Sequence, residues 1–228
     1  MSTLTVREVF PTIQGEGSAM GTPAVFLRLS GCNLWSGRAP GRLTGRGVCA
    51  QWCDTDFVGG DKWKPAELTE KILGMMKGWH APTVVVTGGE PLLQLKRKPG
   101  RDLVRRLRGR GVRLHLETNG TVNAEVIQEF DHVTVSPKAI RTEDTPLQAL
   151  DHIVVRKGTD LKVVHPQWTL LNLSRMEGWE FDHRYVQPLD GGSGLNTWDQ
   201  DHLESTVRVT RTMGWKLSPQ VHKLMGWR

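Results

Sequence analysis

The sequence predicts an α/β fold, namely a partial, open (β/α) barrel of about six parallel strands. Short β-rich runs alternate with helical patterns, which is typical of a parallel sheet with crossover helices. Six units are too few for a complete eight-stranded barrel, and polar, glycine-rich runs follow four of the strands, where parallel barrels collect their chemistry. The expected strands are residues 24–30, 83–87, 112–117, 132–136, 160–164 and 184–187.

Apolar residues at helical spacing identify the elements between these strands. Leu68, Ile72 and Met76 predict a helix over residues 65–79, and Pro65 is suited to its first turn. Other patterns predict a helix over residues 100–109, a short one around Val126 and a longer one after residue 196. No repeat or Pro/Ser-rich linker divides the 228 residues, so we expect one domain over residues 1–228.

The composition is that of a globular protein, with 38% hydrophobic and 24% charged residues. No stretch approaches the roughly 20 apolar residues of a membrane helix, and the first ten residues lack the pattern of a signal peptide. We therefore expect a cytoplasmic, reducing location and no membrane partner. The net charge of +6 owes much to a basic run over residues 96–113. This run fits a solvated helix face, a docking surface for an acidic protein or, less well, a nucleic-acid contact.

The chain has three cysteines, Cys32, Cys49 and Cys53, all within residues 31–60. In a reducing compartment an odd, small number of cysteines indicates metal binding or catalysis rather than disulfides. Three thiolates on one loop hold three irons of a [4Fe–4S] cluster and leave the fourth iron open. An open iron can chelate the amino and carboxylate groups of a methionine moiety, and an electron passed to the adjacent sulfonium breaks a C–S bond. The alternative is a zinc site completed by a histidine such as His80.

The runs FPTIQGEG at residues 10–17, FLRLSGCNLWSG at 26–37 and CDTDFVG at 53–59 resemble the 7-carboxy-7-deazaguanine synthase family of the radical S-adenosylmethionine superfamily. The resemblance continues, in the family's order, through TGGEP at 87–91, ETNG at 117–120, SPK at 136–138, QPLD at 187–190 and QVHK at 220–223. Gly-Gly-Glu alone suggests only the superfamily, whereas TIQGEG with CDTD is specific to this branch. The cysteine spacing departs from the usual Cys-x3-Cys-x2-Cys, because 16 residues separate Cys32 from Cys49 and three separate Cys49 from Cys53.

The resemblance implies a radical S-adenosylmethionine fold and the conversion of 6-carboxy-5,6,7,8-tetrahydropterin to 7-carboxy-7-deazaguanine with loss of ammonia. It also implies a [4Fe–4S] cluster, S-adenosylmethionine and Mg²⁺ as cofactors, a flavodoxin- or ferredoxin-type electron donor, and a homodimer. Such donors are generally acidic, which would suit the basic run.

Site residues follow from the same resemblance. Cys32, Cys49 and Cys53 would hold the cluster, and Thr55 would give one oxygen to Mg²⁺. The S-adenosylmethionine site would comprise Gly89, Glu90, Ser136, Pro137, Lys138, Gln187, Pro188, Leu189 and Asp190, with the Glu90 carboxylate accepting from the ammonium group. The substrate site would comprise Ile13, Gln14, Gly15, Arg28, Thr87, His222 and Arg228, with Arg28 making a two-point contact with the substrate carboxylate.

Two other functions fit part of the sequence. A glycyl-radical-activating enzyme would share the short barrel, but the run at residues 14–17 and the long cysteine gap argue against it. A basic zinc-binding module that contacts nucleic acid would also use the cysteines and the positive charge.

Overall fold

A computed structural model of the protein describes residues 3–38, 49, 53, 55–140, 150–189 and 200–226. Within these residues the centre of the fold is a nine-stranded, mostly parallel sheet in the order β3-β1-β2-β4-β5-β6-β7-β8-β9. The strands are β1 (Leu4–Ile13), β2 (Pro23–Leu29), β3 (Asp61–Trp63), β4 (Thr83–Gly88), β5 (Arg113–Thr118), β6 (His132–Val135), β7 (Lys157–His165), β8 (Glu180–Pro188) and β9 (Lys216–Leu217). Strands β2 and β4 to β9 run parallel, and β1 pairs antiparallel with both β2 and β3.

Helices connect the parallel strands, as expected for crossover units. They are α1 (Pro65–Met75), α2 (Leu92–Leu95), α3 (Lys98–Arg108), α4 (Leu170–Met176), α5 (Gln200–Met213) and α6 (Val221–Leu224), with a 3₁₀ helix at Glu125–Glu129. Pro65 and Pro99 lie in the first turns of α1 and α3, where a missing N–H costs nothing. No helix in the described part of the chain is long and apolar enough to cross a membrane.

The two faces of the parallel sheet differ in chemistry. Alternate residues of a strand point to opposite faces, and Leu27, Val86, Leu116, Val163 and Val186 belong to the apolar core. That core also contains the helix residues Leu68, Ile72, Leu103 and Leu107, so the helices cover this face. The alternate positions on the opposite face line a cavity and are mainly polar: Arg28, Thr87, Glu117, Thr134, Lys162 and Gln187. The strand alternation thus separates the core from the site.

All six predicted strands are present and parallel, and the first and last strands of the sheet, β3 and β9, do not pair with each other among the described residues. The number of strands differs from the prediction, because β1, β3 and β9 were not expected. Strand β1 contains Pro11 and has a register shift between Val6 and Glu8, so its pattern does not alternate cleanly. Pro11 is tolerated there because β3 pairs only with residues 4–6, so no described strand pairs with that edge of β1 at Pro11. The helix expected around Val126 is a 3₁₀ helix.

Candidate active site

A cavity of about 500 Å³ opens on the polar face of the sheet. All three cysteines line it, together with residues from seven strands. The sequence-predicted residues on its wall are Gln14, Arg28, Thr55, Thr87, Gly89, Ser136, Lys138, Gln187, Pro188, Leu189 and His222. Ile13, Gly15, Glu90 and Pro137 are not among the described residues that line it, and Asp190 and Arg228 lie outside the described residues. The fold therefore brings motifs from both ends of the chain to one place.

The loop after β4 packs directly on the loop that carries Cys32. The backbone N–H of Glu90 donates to the carbonyl oxygen of Gly31 at 2.9 Å. A β-carbon on Gly89 would lie 2.5 Å from that oxygen and 2.6 Å from the Cys32 β-carbon, and Gly88 has φ +154° with no room for a side chain beside Leu29. Both glycines are therefore required by close backbone approach.

The three cysteines line the same cavity, and no disulfide joins them among the described residues. The Leu34 N–H donates to the Cys32 sulfur at 3.4 Å, and the Cys53 thiol lies 3.9 Å from the Thr55 carbonyl oxygen. Burial raises the pKa of the Cys32 thiol, and the nearby Glu90 and Cys49 act in the same direction.

The donor set fits a cluster in which each thiolate binds a different iron. No group of three or more His, Cys, Asp or Glu side chains in the described residues could hold one metal ion. His80 is exposed and precedes β4, at the opposite end of the sheet from Cys32, which follows β2. His80, the histidine named for the zinc alternative, therefore cannot complete a site with the cysteines, since parallel strands carry it and Cys32 to opposite ends.

Glu90 is fully buried, and its carboxylate is bonded to backbone and side-chain groups next to the site. Its carboxylate accepts hydrogen bonds from the Leu92 N–H at 3.0 Å, the Asn119 N–H at 2.8 Å and the Thr118 hydroxyl at 2.8 and 2.9 Å. Burial raises the pKa of Glu90 to about 6, although these hydrogen bonds oppose the shift. The carboxylate thus joins the loops after β4 and β5, whereas the sequence predicted that it contacts a ligand.

Gln14 and Glu117 form the part of the cavity nearest the β1–β2 turn. The Gln14 side-chain amide donates to Glu117 at 2.9 Å, and Gln14 also accepts from the Glu16 N–H at 3.2 Å. Gln14 is only 5% exposed, so its orientation is fixed by these contacts. His222 reaches the same region from α6, since the Val221 N–H donates to the Gly15 carbonyl at 3.1 Å.

Arg28 and Thr55 lie on the cysteine side of the cavity. The Arg28 guanidinium donates through Nε to Glu8 at 2.7 Å, and within the described chain its terminal nitrogens make no hydrogen bond that would compete with a carboxylate ligand. Arg7 pairs with Asp56, next to Thr55. This wall therefore carries two arginines and two carboxylates beside the predicted Mg²⁺ ligand.

The other predicted S-adenosylmethionine residues in the described chain lie at the ends of β6 and β8. The Lys138 ammonium donates to the Ser136 hydroxyl at 2.6 Å, and the Leu189 N–H donates to the His165 carbonyl at 2.9 Å. Pro137 faces away, with its carbonyl accepting from the Trp168 indole N–H at 3.3 Å. Pro137 therefore shapes the loop rather than the cavity wall.

Sequence reasoning missed a buried ion pair in the cavity wall. Lys162 on β7 contacts the carboxylate of Glu16, whose other oxygen accepts from Gln220 at 2.8 Å and Gln187 at 3.4 Å. Burial, with Lys223 nearby, lowers the pKa of Lys162 to about 7, while the Glu16 contact favours its charged form. A lysine between Leu161 and Val163 in an apolar strand was the available signal, because such a residue must face a polar interior.

Four of the nine basic side chains in residues 96–113 pair with carboxylates. Arg105 and Arg106 pair with Asp102 at 2.5 and 3.0 Å. Arg108 pairs with Glu129 and Asp131, and Arg110 pairs with Glu70. Residues 96–98, between the end of α2 and the start of α3, make no ion pair with other described residues. This segment adjoins the cysteine loop, because Gln94 on α2 donates to the Ser30 carbonyl at 2.9 Å.

Proteins similar to this chain share one description. The chain is 42% identical to the 7-carboxy-7-deazaguanine synthase of Burkholderia multivorans, with 98% of each chain covered. It is 38% identical to that of Caulobacter vibrioides, with 98% of this chain and 99% of the relative covered. The crystal structure of QueE from Escherichia coli superposes with a TM-score of 0.65 at 22% identity, covering 96% and 94% of the two chains, and supports the fold. No family model matches the chain.

Proposed function

The chain belongs to the 7-carboxy-7-deazaguanine synthase family, and from this premise we propose its reaction. It converts 6-carboxy-5,6,7,8-tetrahydropterin to 7-carboxy-7-deazaguanine with loss of ammonia, as a radical S-adenosylmethionine lyase of 7-deazapurine (queuosine-type) biosynthesis. The observation that carries the proposal is that one cavity is lined both by the three cysteines and by polar residues from both ends of the chain.

In this proposal residues 1–228 form one radical S-adenosylmethionine domain, with its sheet curved as a partial barrel. Cys32, Cys49 and Cys53 hold a [4Fe–4S] cluster, and the bound cluster supplies the electron that cleaves S-adenosylmethionine. Gly89 supports cofactor binding through its backbone, because close packing on Gly31 leaves it no side chain. Ser136, Lys138, Gln187, Pro188 and Leu189 line the adjoining wall, and Asp190 completes this set.

The substrate occupies the part of the cavity between Gln14 and Arg28. A pterin presents two adjacent N–H donors at its pyrimidine edge, which match the Glu117 carboxylate, and Gln14 supplies an amide beside it. At the other end Arg28 binds the substrate carboxylate, while Thr55 and substrate oxygens bind Mg²⁺. Thr87 and His222 line the remaining wall, and Ile13, Gly15 and Arg228 complete the predicted set.

The proposed protein partner is an acidic flavodoxin- or ferredoxin-type electron donor. It would approach residues 96–98, the basic segment nearest the cysteine loop, because attraction between unlike charges speeds encounter. We also propose a cytoplasmic location, since cysteines that hold a cluster must stay reduced. A homodimer is proposed as well, which the mass from light scattering would test.

Metal analysis of anaerobically purified protein separates this function from its rivals. We expect iron with acid-labile sulfide, and loss of the cluster absorption in each of Cys32→Ala, Cys49→Ala and Cys53→Ala. Zinc without sulfide would instead support the zinc-binding module. A full cluster together with radical transfer to a protein backbone, and no conversion of the pterin, would support the glycyl-radical-activating alternative.

A further inference from the structure

Three side chains form a closed ring of hydrogen bonds beside Cys32. The Asn119 amide donates to Asn33 Oδ1 at 3.2 Å, the Asn33 amide donates to Thr121 Oγ1 at 2.7 Å, and the Thr121 hydroxyl donates to Asn119 Oδ1 at 2.7 Å. The Thr121 N–H donates to the same oxygen at 2.9 Å. Each member gives and accepts, and such cyclic networks polarise and strengthen their own bonds.

The ring is attached to the rigid part of the fold. Asn119 is 5% exposed and lines the cavity, and its backbone N–H is held by the Glu90 carboxylate at 2.8 Å. Glu90 in turn donates its backbone N–H to the Gly31 carbonyl oxygen at 2.9 Å. The residues on both sides of Cys32, Gly31 and Asn33, are therefore anchored to the ends of β4 and β5.

We propose that Asn119 is a positioning residue for Cys32: through Asn33 it fixes this first cluster ligand against the Gly88–Gly89 turn. Cys32 closely follows β2, and its two neighbours are bonded to the loops after β4 and β5, whereas Cys49 pairs with Ile140 after β6. The place of Cys32 then determines where the cluster meets the cofactor side of the cavity. The effect on the cluster's position rests on the proposed function. The anchoring of Cys32 can be measured in the protein without the cluster.

Alkylation of the cluster-free protein tests the anchoring directly. In Asn119→Ala and Asn33→Ala we expect iodoacetamide to label Cys32 about fivefold faster or more, because each change removes hydrogen bonds that hold Asn33 beside Cys32. Cys49 and Cys53 should keep their parent rates, read by mass spectrometry of each peptide. The double variant should label Cys32 no faster than the single variants, because both break the same ring.

Two further variants keep the test decisive. Asn123→Ala makes the same change at an exposed position of the same segment, outside the ring, and should leave all three rates unchanged. Thr121→Val keeps the side-chain size but removes the hydroxyl, so it should raise the labelling rate of Cys32. It therefore tests the ring even if an alanine variant folds poorly. An unchanged Cys32 rate in Asn119→Ala and Thr121→Val, or an equal rise at all three cysteines, would overturn the proposal.

The reconstituted protein gives the functional consequence. We expect the activity of reconstituted Asn119→Ala to fall about 10- to 100-fold, the range typical when a group that helps to orient a metal ligand is removed. If the labelling changes as expected but the parent protein does not convert the carboxy-tetrahydropterin, the proposed function fails and the positioning role stands. If the parent protein converts the pterin but the labelling does not change, only the positioning role fails.

Discussion

The imidazole ring of His222 lies against the α-carbon of Gly15. A β-carbon on Gly15 would come within 2.2 Å of His222 Nδ1 and 2.9 Å of its Cγ. The contact joins the turn after β1 to α6 near the end of the chain, and it is reinforced by Gln220, which donates to Glu16 at 2.8 Å. Only glycine at position 15 lets the ring take this place beside the cavity.

Gly15→Ala should therefore displace His222 and weaken substrate binding. We expect KM for the carboxy-tetrahydropterin to rise roughly tenfold or more, because small displacements of positioning groups are costly. Gly74→Ala is the matched control: it lies in α1 with open space around it. It should leave KM unchanged and stabilise the fold by about 0.5–1 kcal/mol. An unchanged KM in Gly15→Ala would show that the ring does not set the substrate's position.

Removal of Mg²⁺ tests the role proposed for Thr55. Turnover should fall on treatment with a chelator and return when Mg²⁺ is added. Thr55→Ala should require roughly tenfold more Mg²⁺ for half-maximal rate, because the hydroxyl is one of several oxygen ligands. Thr212→Ala, an exposed threonine on α5, should behave as the parent does. Equal turnover with and without the metal would exclude this role.

Charge reversal tests the electron-donor surface. Replacing Lys96, Arg97 and Lys98 by Glu should slow turnover driven by an acidic flavodoxin severalfold, and added salt should slow the parent similarly, since screening acts over about 10 Å at 0.1 M. Turnover driven by dithionite should not change. Arg105→Glu with Arg106→Glu should have a smaller effect, because Asp102 already pairs with both arginines. Equal losses with both reductants would mean that the segment supports the fold.

His115 should make the fold sensitive to acid. It stacks on His132 with ring centroids 4.7 Å apart, and burial, followed by the His132 charge, lowers the pKa of His115 to about 4. Between pH 6.5 and 4 the unfolded chain binds a proton that the folded protein does not, so stability falls as pH falls through this window. The loss amounts to roughly 2 kcal/mol once partial exposure is allowed for. Below about pH 4 this contribution stays constant.

His115→Phe keeps the ring stack and should remove that part of the pH dependence, measured by urea unfolding at several pH values. His80→Phe changes an exposed histidine and should leave it as in the parent. A parent-like pH dependence in His115→Phe would assign the acid sensitivity to other groups.

The parallel strands and most of the cavity wall could be predicted from the sequence, because buried strands and the polar runs after them leave local patterns. Strand β1 could not, since its residues are held by pairing with β2 and β3 rather than by their own alternation. The sequence predicted that Glu90 contacts a ligand. The motif alone does not reveal that Thr118 and Asn119 surround its carboxylate. The Glu16–Lys162 pair joins residues 146 positions apart, and such a contact has no local signature.

Anaerobic turnover with 6-carboxy-5,6,7,8-tetrahydropterin, S-adenosylmethionine and a reductant, followed by mass spectrometry, tests the central claim most directly. We expect 7-carboxy-7-deazaguanine and ammonia from the iron–sulfur protein, and neither from the Cys32→Ala variant. A protein with a full cluster that cleaves S-adenosylmethionine but leaves the pterin unchanged would contradict the proposed reaction.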